Sequence, residues 1–224
     1  LQGLEAFKVD ALQALALQPE APQQVAQHGL AVGGAGAHVA DGLELGAQRS
    51  GGGHHGVGVP GLAEQGGFDY WSHQPNRNVG RVASSANGLL SKLEPVEVSD
   101  HALPGRIGGR GVLMARFGDG DEGLVVAVAQ LSLGAVSRRS QLAFIAELLA
   151  DHPHAVLMGD FNCVPDRPEM DLLYSRTHLR PPSFCVPTFP SWRPQRAIDH
   201  ILVSERLEFA DARAIPAAFS DHLA

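Results

Sequence analysis

His154-Ala155-Val156-Leu157-Met158-Gly159-Asp160-Phe161-Asn162 is the stretch on which the reading of this chain turns. Ala155 to Met158 is a short apolar run, the length of a buried strand. Gly159 ends it, and the polar-capable residues Asp160, Asn162 and Cys163 follow at once. A carboxylate and a carboxamide two positions apart share one side of an extended chain. At the end of a buried strand that is a way to build a site on a rigid scaffold. The same Gly-Asp-x-Asn pattern also makes an ordinary turn, in which Asp and Asn bond their own backbone. This stretch alone leaves both readings open.

Two later stretches bear on the choice. Ile198-Asp199-His200-Ile201-Leu202-Val203 is a second apolar strand with an Asp-His pair set inside it. Phe219-Ser220-Asp221-His222-Leu223 is a third strand-like run. Acidic side chains are seldom buried unless paired or bound to metal. Three acids in three apolar runs therefore point to one shared site.

Gly159-Asp160-Phe161-Asn162, then the run from Thr188 through Trp192 and Asp199 to Ser204, then Ser220-Asp221-His222-Leu223 resemble the ordered motifs of the endonuclease/exonuclease/phosphatase superfamily. The similarity runs from about Leu62 to the last residue. It implies an α/β (α+β) four-layer sandwich, two packed mixed β-sheets flanked by helices, with an irregular N-terminal region. It also implies roles. Asp160 orients or deprotonates the attacking water, and Asn162 donates to the phosphate and places Asp160. Asp199 accepts from His222 and fixes its tautomer, while His222 contacts the scissile phosphate or acts as base. Asp221, with Asp160, would ligate Mg²⁺, or Mn²⁺ in its place. His200 is expected in the core. Mg²⁺ suits such a site because it takes oxygen ligands and keeps several waters.

Composition bounds the alternatives. A chain of 224 residues forms one domain with a sizeable core. The net charge of −7 disfavours a generic nucleic-acid binder, whose affinity rests on Lys and Arg. No apolar run is long enough to span a membrane. No basic region followed by an apolar core marks a secretory signal, so a cytoplasmic location is expected. The chain begins with Leu, which leaves room for an upstream segment. Cys163 and Cys185 make no disulfide framework, and Cys163 reads as a small buried thiol.

Residues 1–61 read differently from residues 62–224. Leu1 to Gln18 has the apolar spacing of a helix, and beyond Pro19 the text is rich in Ala, Gly, Gln and His. β-Branched residues are scarce there, so a central strand is hard to place. The resemblance calls for an early strand with an Asn and another ending in Gln-Glu, whose Glu binds metal. Neither pattern is present; Glu44 and Glu64 are the nearby candidates. The composition is what a shifted reading frame in a GC-rich gene would give, and a divergent native segment is the alternative.

Further along, Gly67 to Trp71 reads as an aromatic strand start, and Gln74 to Arg81 as a polar loop. Arg77, Arg81 and Lys92 would hold a phosphate-bearing substrate, or are solvated charges. Arg110 to Phe117 and Leu124 to Leu133 read as paired strands across Gly118 to Asp121. Gln130 stands where many relatives have a His; it can donate a hydrogen bond but cannot shuttle a proton. Ser137 to Ala150 is an amphipathic helix capped by Ser137, and Pro168 to Tyr174 a short helix. Arg180 to Pro190 is a Pro-rich surface loop. Trp192 would stack on a base or ring of substrate, or pack over the core. The chain stops at Ala224, where relatives continue the strand. The expected function is a Mg²⁺-dependent hydrolase of phosphate esters, with an inactive or impaired remnant as the alternative. Nucleic acid or a phospholipid headgroup would be substrate, and a monomer without a stable protein partner is expected.

Overall fold

The computed structural model describes residues 12–15, 30–34, 48–49, 59–79, 82–106, 108–182, 184–207, 214 and 221–223. In order the strands and helices are β1 (Leu12–Leu15), β2 (Leu30–Gly34), β3 (Gln48–Arg49), α1 (Val59–Gly66), β4 (Tyr70–Val79), β5 (Val82–Ser91), β6 (Glu97–Ala102) and β7 (Gly111–Phe117). There follow β8 (Leu124–Gln130), α2 (Ala135–Leu149), β9 (Ala155–Asp160), α3 (Pro168–Arg176) and β10 (Asp199–Val203).

The strands form two five-stranded sheets, ordered β1-β2-β5-β4-β3 and β10-β9-β8-β7-β6. The first is antiparallel throughout. The second is mixed, because β8 and β9 are parallel and α2 makes the long crossover such a pair requires. Two packed sheets flanked by helices are as expected; among the described strands the mixed pairing falls in the second sheet.

β9 is buried on both faces, which is why its sequence is apolar without alternation. Ala155 and Leu157 face Leu142, Ile145 and Leu149 of α2 and Met170 and Leu173 of α3. Val156 and Met158 face the other way, packing with Leu113, Val126 and Val128 and with Leu89 of the first sheet. Each such side chain, taken out of water, contributes about 1.5–3 kcal/mol. On the outer face of the first sheet, Val59 and Ala63 of α1 pack on Trp71 and Leu90. The layers are thus α1, first sheet, second sheet, and α2 with α3: the α/β sandwich that the motifs imply.

Several local expectations are corrected. Leu12–Leu15 is a strand rather than part of a helix, because pairing with β2 overrides the helical preference of Leu, Ala and Gln. β2 lies between β1 and β5 despite its few β-branched residues. Residues 74–79 belong to β4 instead of a loop; the register is irregular between Pro75 and Asn78, where a Pro is tolerated. β6 has no sequence signature, since a half-buried edge strand carries polar residues. α2 is capped at Gly134, so Ser137 sits inside its first turn.

Candidate active site

Strand register sets three polar residues in one row. Gln130 lies opposite Asp160 across the parallel β8–β9 pair. Asp160 lies opposite Asp199 across the antiparallel β9–β10 pair. The close approach behind Asp160 demands glycine at 159, whose φ is +133° and whose Cβ, if present, would lie 2.0 Å from the Ala129 carbonyl oxygen.

Asn162 has φ 53°, a left-handed conformation that Asn tolerates. The turn carries its side chain back over Asp160. Asn162 N donates to Asp160 Oδ1 at 2.8 Å, and Asn162 Nδ2 donates to Asp160 Oδ2 at 3.0 Å and to Leu131 O at 2.9 Å. The turn reading is realised as an Asx turn, and that turn fixes the direction of the Asp160 carboxylate.

Asp199 Oδ2 accepts from His222 Nδ1 at 2.8 Å and from the Thr188 hydroxyl. A carboxylate oxygen is an acceptor, so in this contact Nδ1 is the donor. The Phe189 ring packs on His222, with centroids 4.9 Å apart. Leu223 N donates to Thr188 O at 2.8 Å, and Ser191 N donates to Asp221 O at 2.7 Å. Residues 221–223 are therefore held by the 188–191 loop. They are a bend rather than the third strand expected. Thr188 was hidden in what reads as a Pro-rich surface loop; its signal is the Thr-Phe-Pro at the head of the second motif.

Electrostatics single out Asp160. Burial raises its pKa to about 6, and the charge of Asp199 adds to the rise. The Asn162 amide, His222 and the Gln130 side chain pull the other way. Gln130 Oε1 is buried with no hydrogen-bond partner among the described residues. So is the Oδ1 of Asn87 in β5, whose Nδ2 reaches Gln74 Oε1 at 3.0 Å and Gly111 O at 2.9 Å between the sheets.

A family model for the Endonuclease/Exonuclease/phosphatase family matches residues 17–222. The chain belongs to that family. The match begins well before residue 62 and takes in most of the Ala/Gly-rich segment. No curated protein matches the chain. Among solved structures it is similar to an endonuclease/exonuclease/phosphatase from Beutenbergia cavernae DSM 12333, at 19% identity and TM-score 0.58 over 80% of this chain and 59% of that one. It is similar to the human Nocturnin catalytic domain at 16% identity and TM-score 0.53, over 73% and 72% of the two chains. A third likeness, at 18% identity and TM-score 0.53 over 68% and 73%, is to an endonuclease/exonuclease/phosphatase from Bacteroides vulgatus. These likenesses show the shared fold.

Of the residues the sequence singles out, Asp160, Asn162, Asp199 and His222 come together. Asp221 is next to His222 and partly buried. Trp192 is 76% exposed beside the 188–191 loop and does not cover the core. Arg77 lies in β4 with its side chain outside the described residues, as are Arg81 and Glu44. Lys92 and Glu64 are exposed, the latter on α1. His200 and Cys163 pack inside: His200 Nε2 lies 2.7 Å from Cys163 O, and burial lowers the His200 pKa. Sequence reading missed the buried pair Arg138–Glu169, in which the guanidinium donates to Glu169 Oε1 at 3.0 and 2.7 Å. In this family member it ties α2 to α3 beneath the loop that leaves β8. Among the described residues no group of three or more His, Cys, Asp or Glu could hold a metal ion.

Proposed function

We propose that the chain hydrolyses phosphate esters, as a phosphodiesterase or phosphatase, by in-line attack of water in the presence of Mg²⁺ or Mn²⁺. The observation that carries this reading is the His222–Asp199 hydrogen bond set beside Asp160 in register. The donor set suits a hard cation. It offers carboxylate and carboxamide oxygens, and the raised pKa of Asp160 marks negative charge short of compensation. Asp160 and Asp221 would hold the ion, consistent with Mg²⁺ binding through one or two carboxylates plus substrate and water. When bound, the cation would neutralise charge developing on the phosphoryl oxygens.

The chain's own residues supply orientation and proton handling. Without a cation, burial and the charge of Asp199 raise the Asp160 pKa to about 6; a bound cation would lower it and favour the ionised form that accepts the proton of the attacking water. Its two bonds from Asn162 fix the direction of that acceptance. His222, held through Nδ1 by Asp199, in its protonated form donates Nε2–H to a phosphoryl oxygen. Gln130 donates without releasing a proton, so the leaving group takes its proton from water. Phosphoryl transfer needs little more than such positioning and charge.

A catalytically impaired domain is the second reading. It is favoured by Gln130 at its place in the row and by the lack of a three-ligand metal group among the described residues. Hydrolysis of bis-p-nitrophenyl phosphate with Mg²⁺ or Mn²⁺ separates the two. The proposal expects metal-dependent turnover that falls about 10²–10⁴-fold in Asp160→Ala and His222→Ala. Absence of turnover, or turnover unchanged in both variants, leaves the impaired domain.

A further inference from the structure

Two loops at one end of the second sheet border the site and display apolar side chains to water. Leu133 is 78% exposed and Val136 85% exposed, on the loop leaving β8 and the first turn of α2. Trp192 is 76% exposed on the loop whose Phe189 packs on His222. Large aliphatic side chains this open are costly in water, and clusters of them mark interaction surfaces.

The backbone beneath them is fixed from inside. Arg138, buried and paired with Glu169, donates Nη1–H to Ser132 O at 3.2 Å and to Leu133 O. Gln141 Oε1 accepts from Ser132 N at 2.9 Å, and Gln141 Nε2 donates to Ser132 Oγ at 3.0 Å. On the other loop, Ser191 N donates to Asp221 O at 2.7 Å and Arg193 N to Pro190 O at 3.0 Å. Apolar side chains on an ordered backbone dock without a further main-chain ordering cost. Exposed Arg139, Arg193 and Arg196 flank them; none forms an ion pair among the described residues, and the Arg196 guanidinium lies 5.7 Å over the Phe189 ring.

We propose that Leu133, Val136 and Trp192, with Arg139, Arg193 and Arg196, form a rim that docks the site end of the molecule on an anionic phospholipid surface. Aliphatic side chains gain nothing from stacking on bases, but they bury well among acyl chains. Trp and Arg suit the headgroup layer, the ring amphipathic and the guanidinium pairing with phosphate. The net charge of −7 makes the local placement of cations decisive. This surface stands apart from the hydrolytic reading and is testable without turnover.

The two tryptophans make the test direct. Trp71 is 6% exposed and reports little, whereas Trp192 faces solvent. The full chain is titrated with vesicles of phosphatidylcholine alone and of phosphatidylcholine mixed with phosphatidylglycerol, reading tryptophan emission and co-sedimentation. The expected result is a blue shift and sedimentation with the anionic vesicles, weakened by salt. The double variant Leu133→Ser/Val136→Ser should melt like the native chain and partition about tenfold less. No blue shift, or equal partitioning of the double variant, overturns the proposal. So does a shift that follows protein concentration without vesicles, which assigns the rim to a second copy. A response to an oligonucleotide but not to vesicles overturns it as well, assigning the rim to nucleic acid.

Discussion

Replacing Asp160 by Asn should make the protein more stable at neutral pH while removing the base that the proposed reaction needs. The folded chain holds this carboxyl at about pH 6 against an ordinary 3.8, mainly through burial and then through Asp199. A raised carboxyl binds its proton more readily in the folded state than in the unfolded one. Stability from this group is therefore present below about pH 4 and is lost as pH rises through 6. Two pKa units correspond to about 3 kcal/mol at pH 7.5. The substitution also turns one acceptor toward Asn162 into a donor, and a mismatched hydrogen bond costs about 1 kcal/mol. The net gain is about 2 kcal/mol, or roughly 4–8 °C in Tm for a chain of this size. Urea unfolding of native chain and Asp160→Asn at pH 7.5 and pH 4 measures it. The variant should be the more stable at pH 7.5, with no advantage left at pH 4. A variant less stable than native at pH 7.5, or a difference that ignores pH, refutes the argument.

Other outcomes follow from single contacts. Thr188→Val removes the hydroxyl on Asp199 and should lower kcat about tenfold with KM little changed, while Thr188→Ser restores it in a steady-state assay. Gly159→Ala places a methyl against the Ala129 carbonyl at a φ of +133° and should cost at least ~3 kcal/mol, read from the urea midpoint. Arg138→Met strands the Glu169 carboxylate and should cost about 3–5 kcal/mol, most of it recovered in Arg138→Met/Glu169→Leu by the same measurement. Burial would raise the Glu169 pKa, but the Arg138 hydrogen bond and charge leave it below the ordinary 4.5. Its contribution is thus present above that value and fades under acid, opposite in sign to that of Asp160.

The second sheet was legible because its physics is local. β7 and β8 pair across a short turn, and β9 declares itself by an apolar run that only a strand buried on both faces carries. α2 shows its buried Leu142, Ile145 and Leu149 at helical spacing. What escaped was set by partners far away in sequence. β6 is polar because it is an edge. Residues 74–79 form a strand because Gln74 finds Asn87 and the His101 carbonyl, the latter at 3.1 Å. Leu12–Leu15 is a strand only through β2. The site followed the same rule. Asp160 and Asn162 are two apart and could be paired on sight, but the Thr188 hydroxyl acts on Asp199 across a loop that reads as mere surface.

The arrangement of this site bears on whether it is a relic. Asp160 and Asp199 sit side by side in register, and the repulsion between them helps keep Asp160 near pH 6. A purely structural role asks for nothing of the kind; an amide at either place would make a turn or fill the row at less expense. Nor do the partners neutralise the pair evenly. Thr188 and His222 both converge on Asp199 Oδ2, leaving Asp160 with neutral donors from Asn162 and Gln130. One carboxylate is locked to an imidazole while its neighbour is aimed and left under-compensated. In the proposed reaction that asymmetry gives the two carboxylates different tasks, Asp199 orienting the imidazole and Asp160 accepting the proton.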